Sequence, residues 1–183
     1  LHRNAMEDGL DYTFHQELKT GLAALGGEGV AIFSRFGIAS RSMIDLEYGR
    51  PAILDRIDID PEEEGSELLF VNTHLHHMGG DEVRQPQMQK ILDAIAGETG
   101  PVILTGDLNA RPDSETMAIA YGAGFRDAGV NAGNTSPIRL IKSSTVAQTP
   151  SGRIDYILVR GATEVLQTKI AFDRPAANGL YPS

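Results

Sequence analysis

The sequence predicts a layered α/β domain with a mixed sheet, and three observations carry that expectation. Two short apolar runs, residues 68–71 and 101–105, are too brief for helices and read as buried strands. Between them Met88, Ile91, Leu92 and Ile95 recur at i, i+3, i+4 and i+7, the spacing of one apolar helix face. Ahead of the first run lies the pattern of an antiparallel hairpin, so strands of both senses share the sheet.

Along the chain, residues 29–35 read as the first strand. In residues 53–60, Ile53, Ile57 and Ile59 lie opposite Arg56, Asp58 and Asp60, the pattern of a half-exposed strand. The acidic run 58–67, with Asp58, Asp60, Glu62, Glu63, Glu64 and Glu67 around Pro61 and Gly65, is a solvated connection whose spacing does not match a calcium loop. The strand at 68–71 then runs into Asn72-Thr73-His74. The amphipathic helix that follows carries Pro86 in its first turn and ends at Gly97 and Gly100. The strand at 101–105 delivers Gly106-Asp107-Leu108-Asn109. A short helix spans 114–121 with Asp113 or Ser114 as its cap. Residues 129–152 form a long polar loop, and 154–159 and 164–170 read as a pair of strands.

A chain of 183 residues fits one domain, and 41% hydrophobic with 22% charged residues is ordinary globular composition. The absence of cysteine excludes disulfides, a thiolate nucleophile and a zinc-thiolate site. No apolar run approaches the ~20 residues of a membrane helix. The compartment stays open between cytoplasmic and secreted. With 25 acidic against 16 basic residues the net charge is −9, which weighs against duplex nucleic acid as the favoured partner. Six per cent aromatic residues weigh against single strands held by base stacking, and the absence of tryptophan against a phospholipase anchored in a membrane interface.

Polar residues gather at three strand ends: Asn72-Thr73-His74, Asp107-Leu108-Asn109 and Arg153-Ile154-Asp155. Ligands of layered α/β proteins bind where loops converge beyond the strand ends. Asp107 and Asn109, two apart on extended chain, face the same way and can together hold a divalent cation or a water beside a phosphate. Histidine suits proton movement near neutrality.

These segments occur in order with Arg84 and Gln89 between them: Val71-Asn72-Thr73-His74-Leu75, Leu104-Thr105-Gly106-Asp107-Leu108-Asn109-Ala110 and Arg153-Ile154-Asp155-Tyr156-Ile157-Leu158-Val159. Together with the segment from Gly26 to Arg35 they resemble the endonuclease/exonuclease/phosphatase superfamily, which includes deoxyribonuclease I, exonuclease III and the neutral sphingomyelinases. The resemblance implies a four-layered α/β sandwich of two mixed sheets and metal-dependent hydrolysis of phosphate esters with Mg2+ or Mn2+. It assigns Asp107 to orienting or deprotonating the attacking water and Asn109 to a non-bridging phosphate oxygen, with Asp107 and Asn109 on the metal. His74 would contact the scissile phosphate or help protonate the leaving group, and Asp155 would orient a second histidine.

Departures from that pattern carry their own expectations. Family members place a metal-binding Glu, in a Gln-Glu pair, at the end of an early strand; here Gln16-Glu17 lacks an apolar strand before it, so Glu17 is not expected to be that ligand. The family also ends on an Asp-His pair, where this chain has Tyr181-Pro182-Ser183. Residues 1–183 therefore read as a single domain missing its first strands and terminal Asp-His motif, about 50 residues in front and about 10 behind, and inactive on its own. A catalytically silent binding domain on the same scaffold is the competing reading.

Smaller features have smaller roles. His76 and His77 are a weak zinc pair, with His77 at the cleft mouth; Arg84 and Gln89 tie the helix to the loop above the strand; Asp127 is a loop carboxylate. Asn134-Thr135-Ser136 is a chance glycosylation triplet, Thr145 lies near the substrate cleft, and Gly26, Gly27 and Gly29 form no phosphate loop.

Overall fold

The computed structural model describes residues 9, 11–16, 29–63, 65–129, 152–161 and 164–169. Strands β1 (Asp11–Gln16) and β2 (Gly29–Ser34) pair as an antiparallel ribbon. The main sheet contains β3 (Ile38–Asp45), β4 (Pro51–Asp58), β5 (Glu67–His74), β6 (Val102–Asp107), β7 (Arg126–Asp127) and β8 (Asp155–Arg160). Its order is β3-β4-β5-β6-β8-β7. Within it β5 and β6 run parallel, joined through helix α1 (Gly80–Ala94), and the other neighbours are antiparallel. Helix α2 (Glu115–Gly122) follows β6, with the Ser114 hydroxyl accepting the Met117 amide as its N-cap.

Apolar burial sets the layers. Met88, Ile91 and Ile95 from the first helical segment and Met117 from α2 pack on Val71, Leu104 and Leu158. On the other face of the sheet, Ile53 and Ile57 of β4 meet Val30 and Ile32 of β2. The Asn72 amide also donates to the Ala31 carbonyl at 2.9 Å. Among the described residues the architecture is thus ribbon, mixed sheet and helices. No helix of these residues is long and apolar enough to cross a membrane.

Several expectations change. β4 is not half-exposed: covered by helices on one side and by the ribbon on the other, it buries even Asp55 completely. α1 starts at Gly80, so Pro86 lies in its second turn. The first turn carries Asp81 and Glu82, which suit the positive end of the helix dipole. Asp81 also accepts from the Glu115 amide at 3.1 Å and the Thr116 hydroxyl at 2.7 Å, joining the two helices. Residues 164–169 form no strand, because the edge of β8 that a hairpin partner would use is taken by β7.

Three strands, β1, β3 and β7, were not foreseen. β3 is a mostly exposed edge strand whose larger apolar residues, Ile38, Met43 and Ile44, follow no two-residue alternation to read. β1 corrects the expectation that no strand precedes Gln16-Glu17, since it ends on Gln16. The readings of Glu17, Gly26, Gly27, Asn134-Thr135-Ser136, Thr145, residues 130–151 and the chain ends fall outside the described residues.

Candidate active site

Pairing register brings the candidate residues together. Across β5, β6 and β8, His74 lies opposite Asp107 and Asp107 opposite Asp155, a single row at one end of the sheet. Side chains alternate along a strand, so this row shares its face with Asn72, Thr105 and Ile157 of the adjoining row, away from the helices. His74 and Asp107 are each about one-third exposed, and Asp155 is exposed.

The strand ends are stitched beyond the sheet. The Leu75 amide donates to the Asp107 carbonyl at 3.0 Å, and the Leu108 amide to the Ile154 carbonyl at 2.8 Å. Asn109 adopts a left-handed conformation, φ 47°, which asparagine tolerates better than most residues. In it the Asn109 amide N–H donates to Asp107 Oδ1 at 2.8 Å and its side-chain Nδ2 to the Leu75 carbonyl at 2.8 Å. One Nδ2 hydrogen is therefore committed to the backbone and the second remains to give. Asp107 Oδ2 stands 3.7 Å from His74 Nε2. Burial pushes the Asp107 carboxyl above its ordinary range; the Asn109 N–H, Arg50 and His77 pull it back in part.

Sequence reasoning missed Arg50. Its guanidinium, 5% exposed as a residue, donates from Nη1 to His74 Nδ1 at 2.9 Å and from Nη2 to His77 Nδ1 at 3.3 Å. A turn fixes it: the Leu46 amide donates to the Arg50 carbonyl at 2.8 Å and the Arg50 amide to the Glu47 carbonyl at 2.9 Å. The available signal was a charged residue directly before the apolar Pro51-Ala52-Ile53-Leu54.

Neighbouring residues sort into supports. Arg84 donates to the His76 carbonyl at 3.4 Å, as expected of a loop tie. The companion tie is Gln87 and not Gln89: buried Gln87 accepts the His76 amide at 2.9 Å and donates to the Leu46 carbonyl at 3.0 Å. Helical phase decides this, because residue 87 lies on the buried side with Met88 and Ile91 while Gln89 bonds Asp93 in solvent.

The His76 and His77 rings stack at 5.2 Å and Tyr48 lies 5.2 Å from His76. Among the described residues no group of three His, Cys, Asp or Glu is placed to hold a metal by itself. Asp127 is more than a loop carboxylate. It pairs with buried Arg153, whose guanidinium also donates to the Gly129 carbonyl at 2.6 Å and lies 4.6 Å from the Tyr156 ring centre. The Tyr156 hydroxyl donates to the Ala110 carbonyl at 2.8 Å and holds the segment after Asn109; burial raises its pKa.

A family model described as "Endonuclease/Exonuclease/phosphatase family" matches residues 2–177. Among curated proteins, a UPF0294 protein of Yersinia pestis is 30% identical over 131 residues, covering 69% of this chain and 47% of its own length. The chain spans less than half the length of the curated relatives it matches. An endonuclease/exonuclease/phosphatase family protein from Leptotrichia buccalis superposes with a TM-score of 0.63 at 21% identity, covering 89% of this chain and 65% of that one. The human Nocturnin catalytic domain with bound sulfate anion gives a TM-score of 0.63 at 21% identity, over 86% and 63% of the two chains.

Proposed function

The chain belongs to the endonuclease/exonuclease/phosphatase family, and from that premise we propose that it hydrolyses phosphate esters with the help of a divalent cation, magnesium or manganese. The observation that carries the reading is the cross-strand row of His74, Asp107 and Asp155, with Asn109 hydrogen-bonded to Asp107 at its end. On this reading the ribbon β1–β2 is part of the second sheet of a four-layered sandwich.

The donor set suits a hard cation. Two carboxylates directly opposite on neighbouring strands repel each other, and a cation relieves that repulsion. Mg2+ needs only one or two carboxylates, taking its other oxygens from water and substrate. Asp107 and Asn109 would hold it, and the family pattern calls for one further carboxylate beside them. When bound, the cation supplies charge stabilisation at the phosphoryl oxygens and lowers the pKa of a coordinated water.

The chain's own residues do the rest. Asp107 orients the attacking water, and burial strengthens it as a proton acceptor. Asn109 gives its second amide hydrogen to a non-bridging oxygen, and His74 contacts the scissile phosphate. Asp155 orients the histidine of an acid–base pair. The charge of −9 favours a small phosphoester over duplex nucleic acid as substrate.

The test is hydrolysis of bis(p-nitrophenyl) phosphate and p-nitrophenyl phosphate by the whole protein, with Mg2+, with Mn2+ and after chelation. Metal-dependent turnover is expected, with a loss of ~100-fold or more in both Asp107→Asn and His74→Ala. No metal-dependent hydrolysis of either ester would leave a silent binding domain in its place, and full activity in either variant would remove that residue from the mechanism.

A further inference from the structure

We infer that Arg50 is a positioning residue that fixes the proton of His74 and of His77 on Nε2, so that both rings turn an N–H rather than a lone pair away from it. A guanidinium carries five N–H donors and no acceptor, and it stays charged in proteins. A ring nitrogen that receives its hydrogen must offer a lone pair. His74 Nδ1 at 2.9 Å and His77 Nδ1 at 3.3 Å are therefore both acceptors, which leaves Nε2 as the protonated nitrogen of each neutral ring. The two contacts come from different nitrogens of one planar group, so the rings are set relative to each other as well as to the backbone.

The surroundings hold this arrangement. Arg50 is almost fully buried, so water competes poorly for its hydrogens. Its backbone is closed into the turn with Leu46 and Glu47. One residue further on, the Thr73 hydroxyl donates to the Pro51 carbonyl at 2.9 Å, tying the chain next to Arg50 to the chain next to His74. The His74 Nε2–H then faces Asp107 Oδ2 from 3.7 Å, too far for a hydrogen bond. A phosphoryl oxygen approaching His74 from the side of Asp107 would meet this N–H rather than a lone pair. In the proposed hydrolysis, on which only the kinetic part of this inference rests, His74 is a hydrogen-bond donor and the activation of water falls to Asp107. Arg50 acts through the rings, without touching the substrate.

Two-bond 1H–15N correlation spectra of the 15N-labelled whole protein at pH 8, assigned with His74→Gln and His77→Gln, read the tautomers directly. Wild-type His74 and His77 are expected in the Nε2–H form, and Arg50→Met should give each ring a mixture of both forms. Arg50→Lys, with one ammonium in place of the fork, should keep the His74 tautomer and release His77. If Arg50→Met does not fold, the wild-type and Arg50→Lys spectra decide alone. On an aryl phosphodiester, Arg50→Met should lower kcat by about 10–100-fold with KM changed less than about 3-fold, the scale of losing a residue that orients a functional histidine, whereas Arg50→Lys, which keeps the His74 tautomer, should stay within about 3-fold of wild type. A wild-type His74 protonated on Nδ1, or Arg50 variants with unchanged tautomers and unchanged kcat, would overturn the inference. A wild type that hydrolyses no ester but shows both rings in the Nε2–H form would overturn the proposed function and leave the role of Arg50 standing.

Discussion

On one face of β5, β6 and β8, Val71, Leu104 and Leu158 lie fully buried beneath the two helices. On the other face, one residue along each of the same strands, stand Asn72, Thr105 and Ile157, then His74, Asp107 and Asp155. The helix-covered face gains stability from apolar area removed from water. The site face gives some of it up, holding Asp107 partly buried at the expense of its charged form. Near these strand ends two-residue periodicity therefore divides labour: the helix-covered core sits at one parity and the candidate site at the other, and substitutions there should separate them.

The largest effect should come where the two faces cannot be separated. Gly106, at φ 141°, lies against β5 so closely that a β-carbon there would overlap the Thr73 carbonyl oxygen. Backbone cannot step aside as a side chain can. Gly106→Ala should therefore cost more than ~4 kcal/mol, losing the cooperative thermal transition and any turnover together. A variant with wild-type Tm would show that the strands slide apart freely and that the register does not define the site.

A smaller effect tests the helix-covered face alone. Leu104→Ala should destabilise by about 2–5 kcal/mol through the cavity it leaves, lowering Tm in denaturation scans. The kcat of the molecules still folded should stay within about 2-fold of wild type. A large fall in kcat without a fall in Tm would break the division of labour.

The smallest effect is a gain. Burial raises the folded-state pKa of Asp107, so the folded protein holds that proton more tightly than the unfolded chain does. The contribution is therefore favourable at low pH and is lost as pH climbs from the ordinary 3.8 through the raised value. Asp107→Asn removes the ionisation while keeping an oxygen for the Asn109 amide. Its Tm should match wild type below the ordinary value and exceed it increasingly above, measured in metal-free buffer. A Tm gap that narrows as pH rises would contradict the sign.

Legibility in the sequence followed the same physics. Residues 68–71 and 101–105 were readable because strands covered on both sides are continuously apolar, and His74 and Asp107 were readable because they terminate those runs. β3 was not, because an exposed edge strand has no buried face to impose a pattern. Arg50 was not, because its partners lie 24 and 27 residues away and only the fold brings them within reach. The confusion of Gln89 with Gln87 was one of helical phase: two residues along a helix change which side faces the core.

The place of β8 has a consequence for the nascent chain. β8 separates β6 from β7 in the sheet, yet it is synthesised after both. Some fifty residues must leave the ribosome between the end of β6 and the end of β8, several seconds of translation at about 5–20 residues per second. Throughout that interval one edge of β6 is an open template for stray pairing, and a charge on such an edge discourages it. Asp107 ends that edge, so the strand carries a carboxylate at the place where a charge would discourage such pairing until β8 arrives.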